Sequence, residues 1–187
     1  MITICEGLDK CGKSTFIETI TTIKDAHFCW CSDIFSGKPI SVLDACLDSA
    51  RKYTMPVKEI ALHFGANDAK PFDSFMKCLE LSRYCHVYLD RSFISELVYG
   101  RIFREKSRIS FEEEQTIINE LKRTPHCILY FKRRLSQEYF DALDKTDVFE
   151  NSKSNTIRLN DEYNRVMRKY SKAGLNIYEI SFDIKRS

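Results

Sequence analysis

The chain opens "MITICEGLDKCGKST", Met1 to Thr15, and the reading of Gly7 to Thr15 decides the fold. "ITICE" is a short, apolar, β-branched run that stops at Gly7. Immediately afterwards "GKSTFIETITTI" sets Phe16, Ile17, Ile20 and Ile23 at near-helical spacing. A strand, a glycine loop and a helix therefore follow one another without a break.

Gly7, Gly12, Lys13 and Ser14 satisfy G-x-x-x-x-G-K-[ST] in the context that gives this spacing its meaning, after a strand and at a helix start. Glycines let successive backbone N–H groups converge on phosphate oxygens. The helix N-terminus adds a partial positive charge, and Lys13 adds a full one. The Ser14 hydroxyl can reach Mg²⁺. Gly7, Leu8, Asp9, Lys10, Cys11, Gly12, Lys13, Ser14 and Thr15 are thus expected to hold a nucleoside triphosphate.

Further strands are expected at "AHFCWC" (26–31), "CHVYLD" (85–90), "HCILYF" (126–131) and "LNIYEISF" (175–182). Pro39 and Pro56 head expected helices, "PISVLDACLDSARKY" and "PVKEIALHFGANDA". Others are expected at "RSFISELVYGRIFR", at Phe111 to Arg123 and at "TIRLNDEYNRVMRKYSKA", the last stopped by Gly174. Strands alternating with helices imply right-handed crossovers, hence an α/β class with a five-stranded parallel sheet covered on both faces. At 187 residues, a single domain over 1–187 is expected.

The formal charge of +2 is too small to spread a nucleic-acid-binding field over the surface. No leader is read before Met1, and no apolar run approaches the ~20 residues of a membrane span. Eight cysteines, two of them in or beside the phosphate loop, therefore read as thiols in a reducing, cytoplasmic-type compartment. His27, Cys29 and Cys31 lack a fourth ligand at suitable spacing and read as strand residues rather than a metal site. No N-K-x-D follows a strand, which excludes a guanine-reading switch, and the chain is short for a motor ATPase. Transfer of a phosphoryl group to a small acceptor is the leading expectation.

"EGLDKCGKST", "LDRSFISELVYG" (89–100) and "LHFGANDA" (62–69) resemble three blocks of the thymidylate kinase family, within the nucleoside and nucleoside-monophosphate kinases. The resemblance implies a three-layer P-loop kinase fold, ATP as phosphoryl donor, Mg²⁺, and a small-molecule nucleotide acceptor. It puts Asp9 beside the acceptor sugar, Asp90 near Mg²⁺ or the acceptor phosphate, and Arg91 on that phosphate. Ser95 and Tyr99 would line the acceptor pocket, Phe64 would stack on a pyrimidine, and Asn67 and Asp68 would lie near its edge or sugar.

Three positions depart from the family pattern. Gly100 stands for the usual Gln, and Asp68 for an Arg that holds base or phosphate. In "DVFE" (147–150), within a lid of about 133–155, Val148 stands where many relatives carry the lid Arg. Other relatives place a basic residue directly after the loop Asp, so Lys10 is expected to neutralise the transferring group, with Arg133 or Arg134 as auxiliary cations. The implied reaction passes the ATP γ-phosphoryl to a pyrimidine deoxynucleoside 5′-monophosphate, most simply dTMP to dTDP, in a homodimer. Two alternatives stay open. One is a kinase of nucleosides or hydroxymethylated pyrimidines, including one within DNA; the other is a non-catalytic nucleotide-binding regulator.

Overall fold

Side chains of β1 (Ile2–Glu6) point alternately to two sheet faces, as a strand requires. Ile2 and Ile4 join one buried cluster and Cys5 joins the other. The computed structural model describes residues 1–23, 30–31, 47, 59–64, 70–141 and 149–182. Elements in chain order are β1, α1 (Lys13–Ile23), β2 (Trp30–Cys31), β3 (Glu59–His63), α2 (Pro71–Leu81) and β4 (His86–Asp90). They continue with α3 (Phe93–Phe103), α4 (Phe111–Arg123), β5 (His126–Arg133), α5 (Gln137–Asp141), α6 (Lys153–Lys172) and β6 (Ile177–Phe182).

All the strands pair in parallel, in the order β2-β3-β4-β1-β5-β6. Five of them run five to eight residues, and among the described residues β2 comprises Trp30 and Cys31 at one edge of the sheet. The α/β expectation of a parallel sheet with helices on both faces stands, and each of the five expected strands has a counterpart, joined by one more. "EIALH", expected in a helix headed by Pro56, is strand β3 instead. Val57, Ile60, Ala61 and Phe64 fit helical spacing, but Ile60, Leu62 and Phe64 also share one strand face, and pairing to β4 selects the strand.

The larger cluster packs α2, α3, α4 and α6 against Ile60, Leu62, Val87, Leu89, Ile128 and Tyr130. The smaller one packs Phe16, Ile17 and Ile20 of α1 against Cys5, Ala61, Tyr88 and Phe131. Sequence reading assigns no element to α2, although Pro71 sits in its first turn and its buried residues include Phe75, Cys78 and Leu79. α4 has the capping box its sequence encodes, Ser110 and Glu113 bonding each other's backbone N–H. Gly174, at φ 87°, follows the end of α6 as expected.

β1 lies between β4 and β5, so its carboxyl end opens where consecutive strands depart in opposite directions across the sheet. Ligands bind at such a crevice in open parallel sheets. Cys5, Cys11, Cys78 and Cys85 are buried, and Cys127 is half-buried. Among the described residues no helix is long and apolar enough to cross a membrane, and no group of three or more His, Cys, Asp or Glu side chains could hold a metal. His27, Cys29, Asn67, Asp68, Asp147 and Val148 lie outside the described residues.

Gly7 has φ 140°, and an added Cβ would collide with the Phe131 carbonyl oxygen on β5. Gly7→Ala is therefore expected to lower unfolding free energy by at least ~2 kcal/mol, from backbone strain alone before the collision is counted. Urea denaturation checks this, and an unchanged midpoint contradicts the packing described.

Candidate active site

Each of β1, β3 and β4 delivers a polar side chain or a turn at its carboxyl end. β1 runs directly into the phosphate loop, where Gly7 and Gly12 have positive φ and so does Lys10, at 57°. Lys13, at 5% exposure, sends its Nζ to the carbonyls of Leu8 at 2.7 Å and Gly7 at 3.2 Å. The ammonium is thus anchored across the mouth of the loop, where phosphate oxygens are expected.

Ser14 Oγ donates to Asp90 Oδ2 at 2.7 Å, and His63 Nδ1 stands 3.5 Å from the same oxygen. Burial acts to raise the Asp90 pKa, but hydrogen bonds from His63 and Ser14 and the Lys13 charge outweigh it and hold it down at about 2. Asp90 Oδ1 is buried without a hydrogen-bond partner. An ionised carboxylate with an idle oxygen, beside a hydroxyl, is a hard oxygen pair that suits Mg²⁺.

Across the cleft Arg91 leaves β4 with φ 69°, in the left-handed region that side chains rarely occupy. Its backbone N–H donates to Cys5 carbonyl oxygen, tying this turn to β1. Nη2 pairs with Asp9 Oδ1 of the phosphate loop. Nη1 donates to Tyr99 and Tyr163 hydroxyls, each at 3.2 Å, and to Ser95 Oγ at 3.3 Å. Burial acts to lower the Arg91 pKa, but Tyr99, Tyr163, Asp9 and Glu6 raise it well above its ordinary value, and the group stays a cation.

Two buried carboxylates brace this cation from either side. Glu6 accepts from Ser92 Oγ at 2.6 Å and Ser95 Oγ at 2.7 Å. Burial raises its pKa, against hydrogen bonds from Ser92 and Ser95 and the charges of Arg91 and Lys13. Glu150 accepts the Asp9 backbone N–H at 2.9 Å, Tyr99 hydroxyl at 2.6 Å and Tyr139 hydroxyl at 3.2 Å. Its pKa is raised by burial and then by the Asp9 charge.

Two cavities meet along this line. One, of about 180 Å³, runs over Lys10, Gly12, Lys13, Ser14, Thr15 and Asp90. The other, of about 210 Å³, runs over Phe64, Ser95, Glu96, Tyr99, Arg104 and Phe149. Asp9, His63 and Arg91 line both. Phe64, expected on a helix, instead follows β3 and is 2% exposed at the wall of the second cavity.

Arg133 corrects the expected lid. It is the last residue of β5 rather than part of a loop, and its Nη1 donates to Lys10 carbonyl oxygen at 2.5 Å while its guanidinium covers the Tyr139 ring. Arg134 follows directly, its carbonyl accepting from Ser136 N–H. Lys10 is exposed on the crest of the loop and borders the first cavity. Sequence reasoning missed Glu6, His63, Tyr139, Glu150 and Tyr163 as site residues. Glu6 and Glu150 lie inside quoted blocks, whereas Tyr163 has the spacing of an ordinary core residue of α6.

No protein-family model matches the chain, and no curated protein matches it significantly in sequence. Among solved structures it is similar to the YorR protein from Bacillus subtilis in complex with phosphorylated GDP. That likeness has a TM-score of 0.59 at 21% identity, over 97% of this chain and 85% of that one. It is also similar to deoxyadenosine kinase from M. mycoides with bound dATP, with a TM-score of 0.52 at 12% identity, over 99% and 94%. The chain shares the fold of these two proteins. At these identities the likeness is one of fold, and it does not single out thymidylate kinases.

Within that fold Tyr163 joins Arg91, Ser95 and Glu6 through one hydroxyl. Tyr163→Phe is expected to cost about 1–3 kcal/mol, because buried polar partners lose their bonds while the ring's packing is kept. Denaturant unfolding reads that loss, and a change below about 0.5 kcal/mol would mean the hydroxyl is not holding Arg91.

Proposed function

We propose that the chain is a Mg²⁺- and ATP-dependent kinase that phosphorylates a pyrimidine deoxynucleoside 5′-monophosphate, most simply dTMP to dTDP. One observation carries this reading: the loop cavity and the Arg91 cavity adjoin along Asp9, His63 and Arg91. A donor tail in one and an acceptor in the other would meet in line, the geometry that phosphoryl transfer needs.

In this reading the loop N–H groups and Lys13 hold the donor's phosphates. Ser14 and Asp90 would hold Mg²⁺, which when bound neutralises phosphate charge. The acceptor phosphate takes Arg91 Nη2 from Asp9, and Asp9 turns to the acceptor's sugar hydroxyl. An acceptor oxygen attacks the γ-phosphorus, and the bond to the ADP oxygen breaks. Arg91 and Lys10 offset the charge on the group in transit. Glu6 and Glu150 keep Arg91 and Asp9 in register.

A deoxynucleoside acceptor is the second reading, favoured by the state of Arg91. Its guanidinium is bonded to Asp9, Ser95, Tyr99 and Tyr163, so an acceptor without a phosphate can bind with that set intact. Labelled Mg²⁺-ATP offered with deoxynucleosides and with their monophosphates separates the two. The expected result is transfer to a pyrimidine monophosphate, with kcat/KM reduced at least ~100-fold by Lys13→Ala. Transfer to nucleosides alone favours the second reading, and transfer to neither contradicts both.

A further inference from the structure

The acceptor cavity has two chemically different ends. Asp9 and Arg91 mark the one that borders the loop cavity, with the Tyr99 hydroxyl on Arg91, while Phe64 and Phe149, which do not line the loop cavity, give the other aromatic walls suited to a base. Glu96 and Arg104 also line it. Neither of them lines the loop cavity.

Arg104 caps the end of α3, its N–H donating to Gly100 carbonyl oxygen at 2.9 Å. Glu105 follows at φ 63° and turns the chain back over the helix. That return is possible because residue 100 is glycine. A Cβ there would stand 2.8 Å from Ser107 Cα and 3.1 Å from both Lys106 carbonyl oxygen and Arg104 Nη2. The position where the resemblance calls for Gln is the one that must stay bare for the turn to close.

Once closed, the turn is pinned by a single carboxylate. Glu96, 7% exposed, accepts from Arg104 Nη2 at 2.6 Å and from the Arg108 backbone N–H at 2.9 Å on the same oxygen. The Arg104 guanidinium is therefore fixed in orientation. Its Nε is buried without a hydrogen-bond partner.

We infer that Arg104 is the base-selecting residue of this cavity, positioned by Glu96 and admitted by Gly100, and that it favours carbonyl-bearing bases (pyrimidines and 6-oxopurines) over adenine. The inference rests on the reading above only in assigning this cavity to the acceptor's base. A guanidinium has donors and no acceptor. Guanine and cytosine present two acceptors side by side, and thymine presents carbonyl oxygens. Adenine puts an amino donor beside each acceptor on its exposed edges.

Calorimetric binding of the four common deoxynucleosides and their 5′-monophosphates tests this without requiring turnover. The wild-type protein is expected to prefer at least one carbonyl base over adenine by about 10-fold or more. Arg104→Met should remove that preference while leaving the adenine compounds within about twofold. Gly100→Ala should shift affinities in the same direction by displacing the turn. If Arg104→Met alone unfolds because Glu96 keeps only Arg108 as a cationic partner, the Glu96→Gln/Arg104→Met double variant replaces it. Equal losses for all bases, an unchanged ranking, or no binding of any compound overturns the inference. Base-selective binding without transfer to any acceptor fails the kinase reading alone, and transfer with an unchanged ranking in the variant fails this one alone.

Discussion

A buried guanidinium between two cavities is the constraint on which the rest of this architecture depends. Arg91 cannot be moved to the surface without unpairing Asp9 and three hydroxyls, and its partners come from the phosphate loop, α3 and α6. Removing one partner of such a buried charge leaves the other uncompensated. Strain is concentrated at the same place. Arg91 and Lys10 are two of only three non-glycine residues at positive φ among the described residues, and the third, Glu105, adjoins Arg104. Backbone conformations of this kind persist where their surroundings over-determine them, as the Cys5 and Arg133 contacts do here.

The sequence was most informative where backbone chemistry restricts residue choice. Gly7 can be only glycine because β5 passes against its Cα, and Lys13 and Ser14 must follow Gly12 to face the loop mouth. Those requirements made the loop, its helix and the central strand readable from Met1 to Ile23. β3 was harder to read, because its apolar residues satisfy both a helical and a strand period and only the neighbouring β4 settles the choice. The bracing groups were hidden for a different reason. Tyr163 and Tyr139 look like core aromatics until the fold brings their hydroxyls to Arg91 and Glu150.

The departures from the thymidylate kinase pattern acquire physical meaning once the turns are seen. Gly100 does not simply lose a side chain; its bareness admits the Arg104 turn. Arg133, expected as an auxiliary cation of the lid, fastens the Lys10 carbonyl from the end of β5 and so stiffens the loop crest. The phosphate loop is thus held from three directions, by β5 through Arg133, by Glu150 through the Asp9 N–H, and by β4 through Ser14 and Asp90. Such a cradle is preorganised, which is what the proposed transfer chemistry would ask of the protein.

The central claim is that donor and acceptor chambers share one boundary. The most direct measurement is inhibition by a dinucleotide in which adenosine and thymidine are joined 5′ to 5′ through a chain of phosphates. The account predicts competition against ATP and against the acceptor nucleotide alike, because one molecule would fill both chambers across Arg91. Competition against ATP with no effect on acceptor binding would contradict it.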